Sequence, residues 1–305
     1  MTENNMKERC GLPETRSEIR PFYENESGTW TYLLADPEQK QAAIIDPVWV
    51  YDPVTGRPDS GFIDDVLREA DVLACTVSWV LETHAHADHL TAGNYIRSKT
   101  GAKIAIGRGI CSVQKNFAGV FHLPDLATDG SQFDRLLSEG DEIRLGSLHI
   151  AVLETPGHTR DSLSFVVEDA VFVGDTLFRP SYGTARCDFP GGDAGLLYDS
   201  IQKIYALPRA KRLFLCHDYP EDECEPIAMV SMQDSRDSNC HVKADTTREA
   251  FIELRSARDR TLPMPRLLLP SIQVNIRAGA APKAESNGAS YLRIPFNTTL
   301  ADLLP

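Results

Sequence analysis

The sequence predicts a layered α/β domain, on three observations. Short apolar runs alternate with turn residues between about Thr29 and Cys216, a few amphipathic segments interrupt them, and histidine or aspartate recurs just beyond several of the runs. The runs read as strands over 29–35, 41–45, 78–82, 103–106, 148–154, 162–167, 170–173 and 212–216. Helices are predicted over 62–70, over 89–99 closed by Gly101, and over 193–206, where Leu197, Ile201, Ile204 and Tyr205 share a face and Pro208 ends the run. Past Cys216 the character changes. Residues 220–224 are acidic and loop-like, and Thr246 with Glu249 three positions on forms a capping box for a helix through about Arg258. Beyond it Pro263, Pro265, Pro270 and Pro282 forbid long helices, while Leu267, Leu268 and Leu269 point to a segment that packs back on the main body.

Composition narrows the function classes. The chain has 305 residues, with 31 Lys and Arg against 44 Asp and Glu, and its formal charge of −13 argues against a nucleic-acid partner. At 42% hydrophobic and 25% charged it has the make-up of an ordinary globule, which excludes disordered and fibrous classes. No run approaches the roughly 18 consecutive apolar residues of a membrane span. The first 25 residues carry Glu3, Glu8, Glu14, Glu18 and Glu24, which suits neither a secretory signal nor a transit peptide, so a cytoplasmic protein is expected. The seven cysteines, Cys10, Cys75, Cys111, Cys187, Cys216, Cys224 and Cys240, are scattered without C-x-x-C spacing and read as reduced thiols.

Chemistry concentrates in Thr83-His84-Ala85-His86-Ala87-Asp88-His89, directly after the apolar run 77–81. Neutral imidazole and carboxylate oxygen both ligate divalent zinc or iron, so three imidazoles and a carboxylate on one strand-end loop suit one or two metal ions. Solvated loop histidines are the bland alternative, and the density of ligands argues against it. Three further groups follow strands in the same way: Gly157-His158-Thr159, Gly174-Asp175 and Cys216-His217-Asp218. Taken singly, His158 is a turn residue, Asp175 a helix cap and His217 a core histidine. Their recurrence at strand ends, which can converge on one edge of a sheet, argues for a site. His122, His149 and His241 lie outside any cluster and are given no role.

The succession H-x-H-x-D-H, G-H-T, G-D and a late His resembles the metallo-β-lactamase fold over roughly residues 20–220. That resemblance implies an αββα sandwich, with a tail over 1–20, a catalytic domain over 21–220 and a C-terminal extension over 221–305 packed on it. In family terms His84, His86 and His158 form one metal position, Asp88, His89 and His217 the other, and Asp175 bridges them. The loop Gly183-Thr184-Ala185-Arg186-Cys187-Asp188-Phe189-Pro190-Gly191-Gly192 is in turn similar to the G-x-x-R-x-D-F-x-x-G loop of persulfide dioxygenases, relatives of glyoxalase II that bind a single ferrous ion. Carried over, the iron ligands are His84, His158 and Asp175. His86, Asp88, His89 and His217 are then outer groups or a vacant second metal site, with His86 able to play either part. The sequence departs from the pattern at Arg160-Asp161 after G-H-T, at Ala185 before Arg186, and in the length of chain after Tyr219.

The resemblance implies an iron-dependent dioxygenase that oxidises glutathione persulfide with O2 and water to sulfite and glutathione in sulfide detoxification, with one Fe(2+) per chain and a homodimeric or larger assembly. Two histidines and a carboxylate leave open positions on iron for substrate sulfur and O2. The alternatives are a glyoxalase II-like dinuclear metal thioester hydrolase, whose whole ligand set is also present, and a non-catalytic sulfur-binding or sensing protein. Arg186 is the main substrate-binding candidate, through a bidentate pair to a glutathione carboxylate, against an ion pair to Asp188. Tyr219 is a second candidate, against a packed aromatic. Cys187 reads as a small buried residue more than as a sulfur-exchanging thiol.

Overall fold

The computed structural model describes residues 16–220 and 224–296, so most of the expected N-terminal tail and part of the acidic loop lie outside the described residues. Along the chain the strands are β1 (Glu18–Glu24), β2 (Thr29–Asp36), β3 (Gln41–Ile45), β4 (Val48–Asp52), β5 (Arg57–Asp59), β6 (Thr76–Leu81), β7 (Leu90–Thr91), β8 (Lys103–Gly107), β9 (Arg135–Leu137), β10 (Glu142–Leu145), β11 (Leu148–Glu154), β12 (Leu163–Val167), β13 (Ala170–Phe172), β14 (Arg212–Phe214) and β15 (Met229–Ser231). The helices are α1 (Gly61–Val72), α2 (Gly93–Thr100), α3 (Ile110–Val120), α4 (Ala194–Tyr205), α5 (Met232–Ser238), α6 (Arg248–Asp259) and α7 (Leu268–Asn275).

Two six-stranded sheets, ordered β1-β2-β3-β6-β8-β9 and β10-β11-β12-β13-β14-β15, lie face to face, and β5-β4-β7 make a small third sheet. Side chains alternate across a strand, so a strand covered on both faces reads as unbroken apolar sequence. β2 is buried along its whole length, with Thr29, Thr31 and Asp36 the polar exceptions in an apolar run. Trp30, Tyr32 and Leu34 enter the core between the sheets, where they meet Ile150, Phe165 and Phe172, while Leu33 and Ala35 face a core built with Ile63, Ile96 and Ile110 of α1, α2 and α3. The second sheet is backed in turn by α4, α5 and α6, through Leu197, Ile201, Met232 and Phe251 against Val171, Val173 and Leu213. Helix, sheet, sheet, helix is therefore the layer order, the αββα sandwich expected from the sequence.

Three local expectations shift. The helix expected over 89–99 begins only at Gly93, because Leu90 and Thr91 pair with Val48 and Trp49 in the small sheet. The cap of α6 is Thr247, which accepts from the Ala250 amide, while Thr246 accepts from Lys243 in the preceding turn. The segment past 220 also does more than lie on the domain: β15 pairs with β14 and extends the second sheet, and α6 packs on α4 and α7 on β7.

β3 runs parallel to β6, and β13 parallel to β14. Two antiparallel pairings in succession bring β11 into the direction of β13. The loops that leave β3, β6, β11, β13 and β14 consequently open at one edge of the sandwich, and Thr29 at the start of β2 bridges to His217 there. Rigid strands thus deliver polar side chains from distant parts of the sequence to one place.

Candidate metal centre

All seven ligand-type residues singled out in the sequence meet at this edge. His84, His158 and Asp175 form one group and His86, Asp88, His89 and His217 a second, with the donor atoms of each group within 4.8 Å of one another. His86 lies between the two, its ring 4.0 Å from that of His84 and 4.1 Å from that of His89. Asp175 reaches both groups: Oδ2 lies 3.5 Å from His158 Nε2 and 3.9 Å from His84 Nε2, and Oδ1 lies 3.3 Å from His217 Nε2.

The outward nitrogens are set by what the inward ones do. His158 Nδ1–H donates to the Arg186 carbonyl at 2.7 Å, which leaves Nε2 to face Asp175. His86 Nε2–H donates to Asp46 Oδ1 at 3.0 Å, which turns Nδ1 toward the centre. Thr83 Oγ1 lies 3.0 Å from His84 Nδ1, and Thr29 Oγ1 sits between Nδ1 of His89 and Nδ1 of His217. Ligating histidines characteristically have their second nitrogen fixed this way. Burial, reinforced by neighbouring imidazoles, holds His84 and His86 well below the ordinary imidazole range, so both offer neutral lone pairs at pH 7. Burial raises the Asp88 carboxyl, but His217 and His89 outweigh it and keep Asp88 well below the usual carboxylate range.

A divalent metal fits these residues. His84 Nε2, His86 Nδ1, His89 Nε2, His217 Nε2, Asp88 Oδ2 and Asp175 Oδ1 are buried and make no hydrogen bond within the protein. So many converging, unsatisfied polar atoms are too costly to bury unless something charged is held between them. Cys216 is buried beside the cluster, but burial and three nearby carboxylates push its thiol well up, and Sγ lies 3.7 Å from Asp46 Oδ2.

The sequence missed the residues that support this cluster. Asp46 accepts from the Thr83 amide at 2.7 Å and from its hydroxyl at 2.9 Å, as well as from His86. Asp161, one of the departures from the family pattern, is buried and accepts from the Ala85 amide at 2.7 Å. Asn275 of α7 donates to the carbonyls of His86 and His89, each at 2.8 Å. His241, given no role from sequence, is buried and accepts from the Thr184 amide at 3.0 Å, against Gly183, whose φ is +84° and where a Cβ would lie 2.2 Å from the imidazole.

A cavity of about 540 Å3 opens over the cluster, a size suited to a small organic molecule. Both substrate-binding candidates line it. Tyr219 stacks on His217, with centroids 5.8 Å apart and planes within 5°, a packing that Gly28 permits because a Cβ there would lie 2.6 Å from the tyrosine ring. Arg186 is committed within the protein: Nε and Nη2 bind Asp188 at 2.6 and 2.7 Å, and Nη1 donates to the Pro263 carbonyl at 2.6 Å. The ion pair weighed against a substrate role is therefore formed. Burial pushes the Cys187 thiol far up, which suits a packed residue and not a reactive one.

His241 gives the protein an acid-sensitive joint. Burial, with Arg255 and Arg258 beside it, pulls its imidazole down to about 4. The unfolded chain takes up a proton near pH 6.5 that the folded one refuses, so this contribution to stability is complete above pH 6.5 and is lost as pH falls toward 4. His241→Asn, which keeps an acceptor and cannot titrate, is expected to lose less stability than wild type between pH 7 and pH 5, as read by urea unfolding.

Comparison with known proteins bears on the same residues. Residues 25–217 match the family described as the metallo-beta-lactamase superfamily. A probable metallo-hydrolase from Burkholderia pseudomallei is 45% identical, with 92% of this chain and 99% of that protein covered. Glyoxylase B2 from Dictyostelium discoideum is 44% identical, covering 92% and 98%. The mitochondrial persulfide dioxygenase ETHE1 of Mus musculus is 29% identical, covering 86% and 88%. The crystal structure of ETHE1 from Myxococcus xanthus superposes with a TM-score of 0.70 at 31% identity, covering 86% of this chain and all of that one.

Proposed function

Because the chain belongs to the metallo-beta-lactamase superfamily, we propose that it is an iron-dependent dioxygenase that converts glutathione persulfide, O2 and water to glutathione and sulfite, with one ferrous ion per chain. The observation that carries this reading is the grouping of His84, His158 and Asp175, two imidazoles and one carboxylate, below a cavity of substrate size. A ferrous ion held by such a triad would keep open positions for a sulfur anion and O2 and would mediate electron transfer from the sulfur to O2. The reaction balances: four electrons pass from sulfur to O2, the S–S bond breaks, and the three oxygens of sulfite come from O2 and water. The mouse relative named persulfide dioxygenase and the Myxococcus xanthus structure support the reading.

The chain's own residues do the holding. The Arg186 carbonyl fixes which nitrogen of His158 carries the proton, and Asp46 does the same for His86. The cavity wall includes Trp49, Phe178, Phe189 and Met264, which offer apolar contact to the bound substrate. Arg186 ties its loop to the wall at Pro263, and Tyr219 presents its ring beside His217. The reading places the catalytic unit over 21–220, with the described residues 224–296 joined to it through β15, α6 and α7, in a cytoplasmic protein of two or more copies. Among the described residues no helix is long and apolar enough to cross a membrane.

A second reading rests on the second group. His86, Asp88, His89 and His217 form a complete donor set, and the relatives at 45% and 44% identity carry hydrolase and glyoxylase names. A dinuclear thioester hydrolase needs that set as true ligands, so that two metals place a hydroxide. Metal analysis after ferrous reconstitution separates the two readings. We expect about one iron per chain and no thioester hydrolysis; two firmly held metals with hydrolysis of a glutathione thioester would favour the hydrolase.

A further inference from the structure

The Arg186 carbonyl, which orients His158, belongs to a loop that the C-terminal segment holds by its backbone. Asn239 Nδ2 donates to the Gly183 carbonyl at 3.0 Å, and the Thr184 amide donates to His241. Arg255 Nη1 donates to the Thr184 carbonyl at 2.9 Å, and the Cys187 amide donates to Asp259 Oδ2 at 2.9 Å. Arg255 and Asp259 are themselves paired one helical turn apart on α6, with Nε 2.9 Å from Oδ1, and Arg255 heads the large side chains that are fully buried. Residues 184 and 187 are thus pinned on either side of Arg186. A displacement of the loop by about 1 Å would take its carbonyl beyond hydrogen-bond reach of His158 Nδ1.

We infer that the C-terminal segment is a positioning element for the metal-facing imidazole of His158, acting through His241, Arg255 and Asp259 on the 184–187 backbone. The inference rests on the reading of His158 as a metal donor and is indifferent to which reaction follows. It explains why a charged pair is buried between α6 and this loop: buried ion pairs contribute little net stability, but a guanidinium and a carboxylate can fix backbone groups that an apolar core would leave loose. Asn275 makes the same kind of contact with the loop that carries His84, His86, Asp88 and His89, through the His86 and His89 carbonyls.

The test compares wild type with Arg255→Met, His241→Leu and His241→Asn, the last of which keeps an acceptor where Nδ1 stood. The first readout is the downfield imidazole N–H proton of His158, assigned by its loss in His158→Gln, in metal-free and Zn(II)-loaded protein, with the His86 Nε2–H proton as internal reference. The second is Zn(II) affinity by chelator competition. We expect Arg255→Met and His241→Leu to shift or broaden the His158 proton, to leave that of His86 in place, and to weaken Zn(II) binding roughly 10–100-fold, as loss of outer-sphere support does. His241→Asn should restore both. An unmoved His158 proton with wild-type affinity would overturn the inference, as would equal losses in the Leu and Asn variants. If Arg255→Met does not fold, the His241 pair decides. If wild type binds no metal, the metal reading fails, while the proton in the metal-free protein still decides the inference.

Discussion

On the mononuclear iron reading, alanine at His158 is expected to strip iron from the protein and abolish persulfide-dependent oxygen uptake, whereas alanine at His217 is expected to leave most of the iron in place. His158 Nε2 faces Asp175 within the His84 group, and its opposite nitrogen is spent on the Arg186 carbonyl, so alanine there removes one of the two imidazoles of that group. Losing support around a ligand typically costs 10–100-fold in metal affinity, and losing the ligand itself should exceed about 100-fold. His217 lies 3.1 Å from Asp88 and 3.3 Å from Asp175, and in the mononuclear account it orients those carboxylates without holding iron. Iron quantified in the two variants after identical reconstitution checks this. Equal iron loss in both would contradict the mononuclear account.

The second large effect falls on stability. Arg255 and Asp259 are 1% and 6% exposed, and Arg255→Ala leaves the carboxylate buried without its cation and the Thr184 carbonyl without its donor. Breaking a buried pair from one side costs about 3–5 kcal/mol, so a urea midpoint far below wild type is expected. Removing both charges together, as Arg255→Met with Asp259→Asn, should cost less, because asparagine can still accept from the Cys187 amide and no bare charge stays buried. A double variant less stable than the single one would contradict this account of the pair.

The sandwich could be read from the sequence where a strand is buried on both faces. The runs at β2, β3 and β6 are mostly apolar, with Thr31, Gln41 and Ser78 among the exceptions, for the reason seen at Trp30 and Leu33, whose side chains enter opposite cores. β1 escaped notice because Glu18, Arg20, Pro21 and Glu24 make an edge strand look like a loop. α3 has no capping side chain and carries Gly119 near its end, and α7 holds Pro270 in its first turn, where a proline is tolerated. β4 and β7 take their structure from each other across about 40 residues, a pairing that no local pattern announces.

The candidate site was legible for a different reason. His84, His86, Asp88 and His89 are adjacent in sequence, and His158, Asp175 and His217 each follow a strand. Asp46 follows β3 at the same edge in the same way, so the rule that marked Asp175 applied to it as well. Thr29, His241, Arg255 and Asn275 follow no such rule. Asn275 reaches His86 across 189 positions and Arg255 reaches Thr184 across 71, so their roles exist only once the C-terminal segment has packed. The Arg186 loop and the option of an ion pair to Asp188 were legible in its pattern, but the bond from its guanidinium to the Pro263 carbonyl depends on that same packing.

The most direct test of the central claim is oxygen consumption by anaerobically purified, Fe(II)-reconstituted protein given glutathione persulfide, with sulfite measured in the same sample and metal-free protein alongside. The account predicts uptake that requires both iron and persulfide, with one sulfite formed for each O2 consumed. Protein that holds one iron per chain and consumes no oxygen in the presence of persulfide would contradict it.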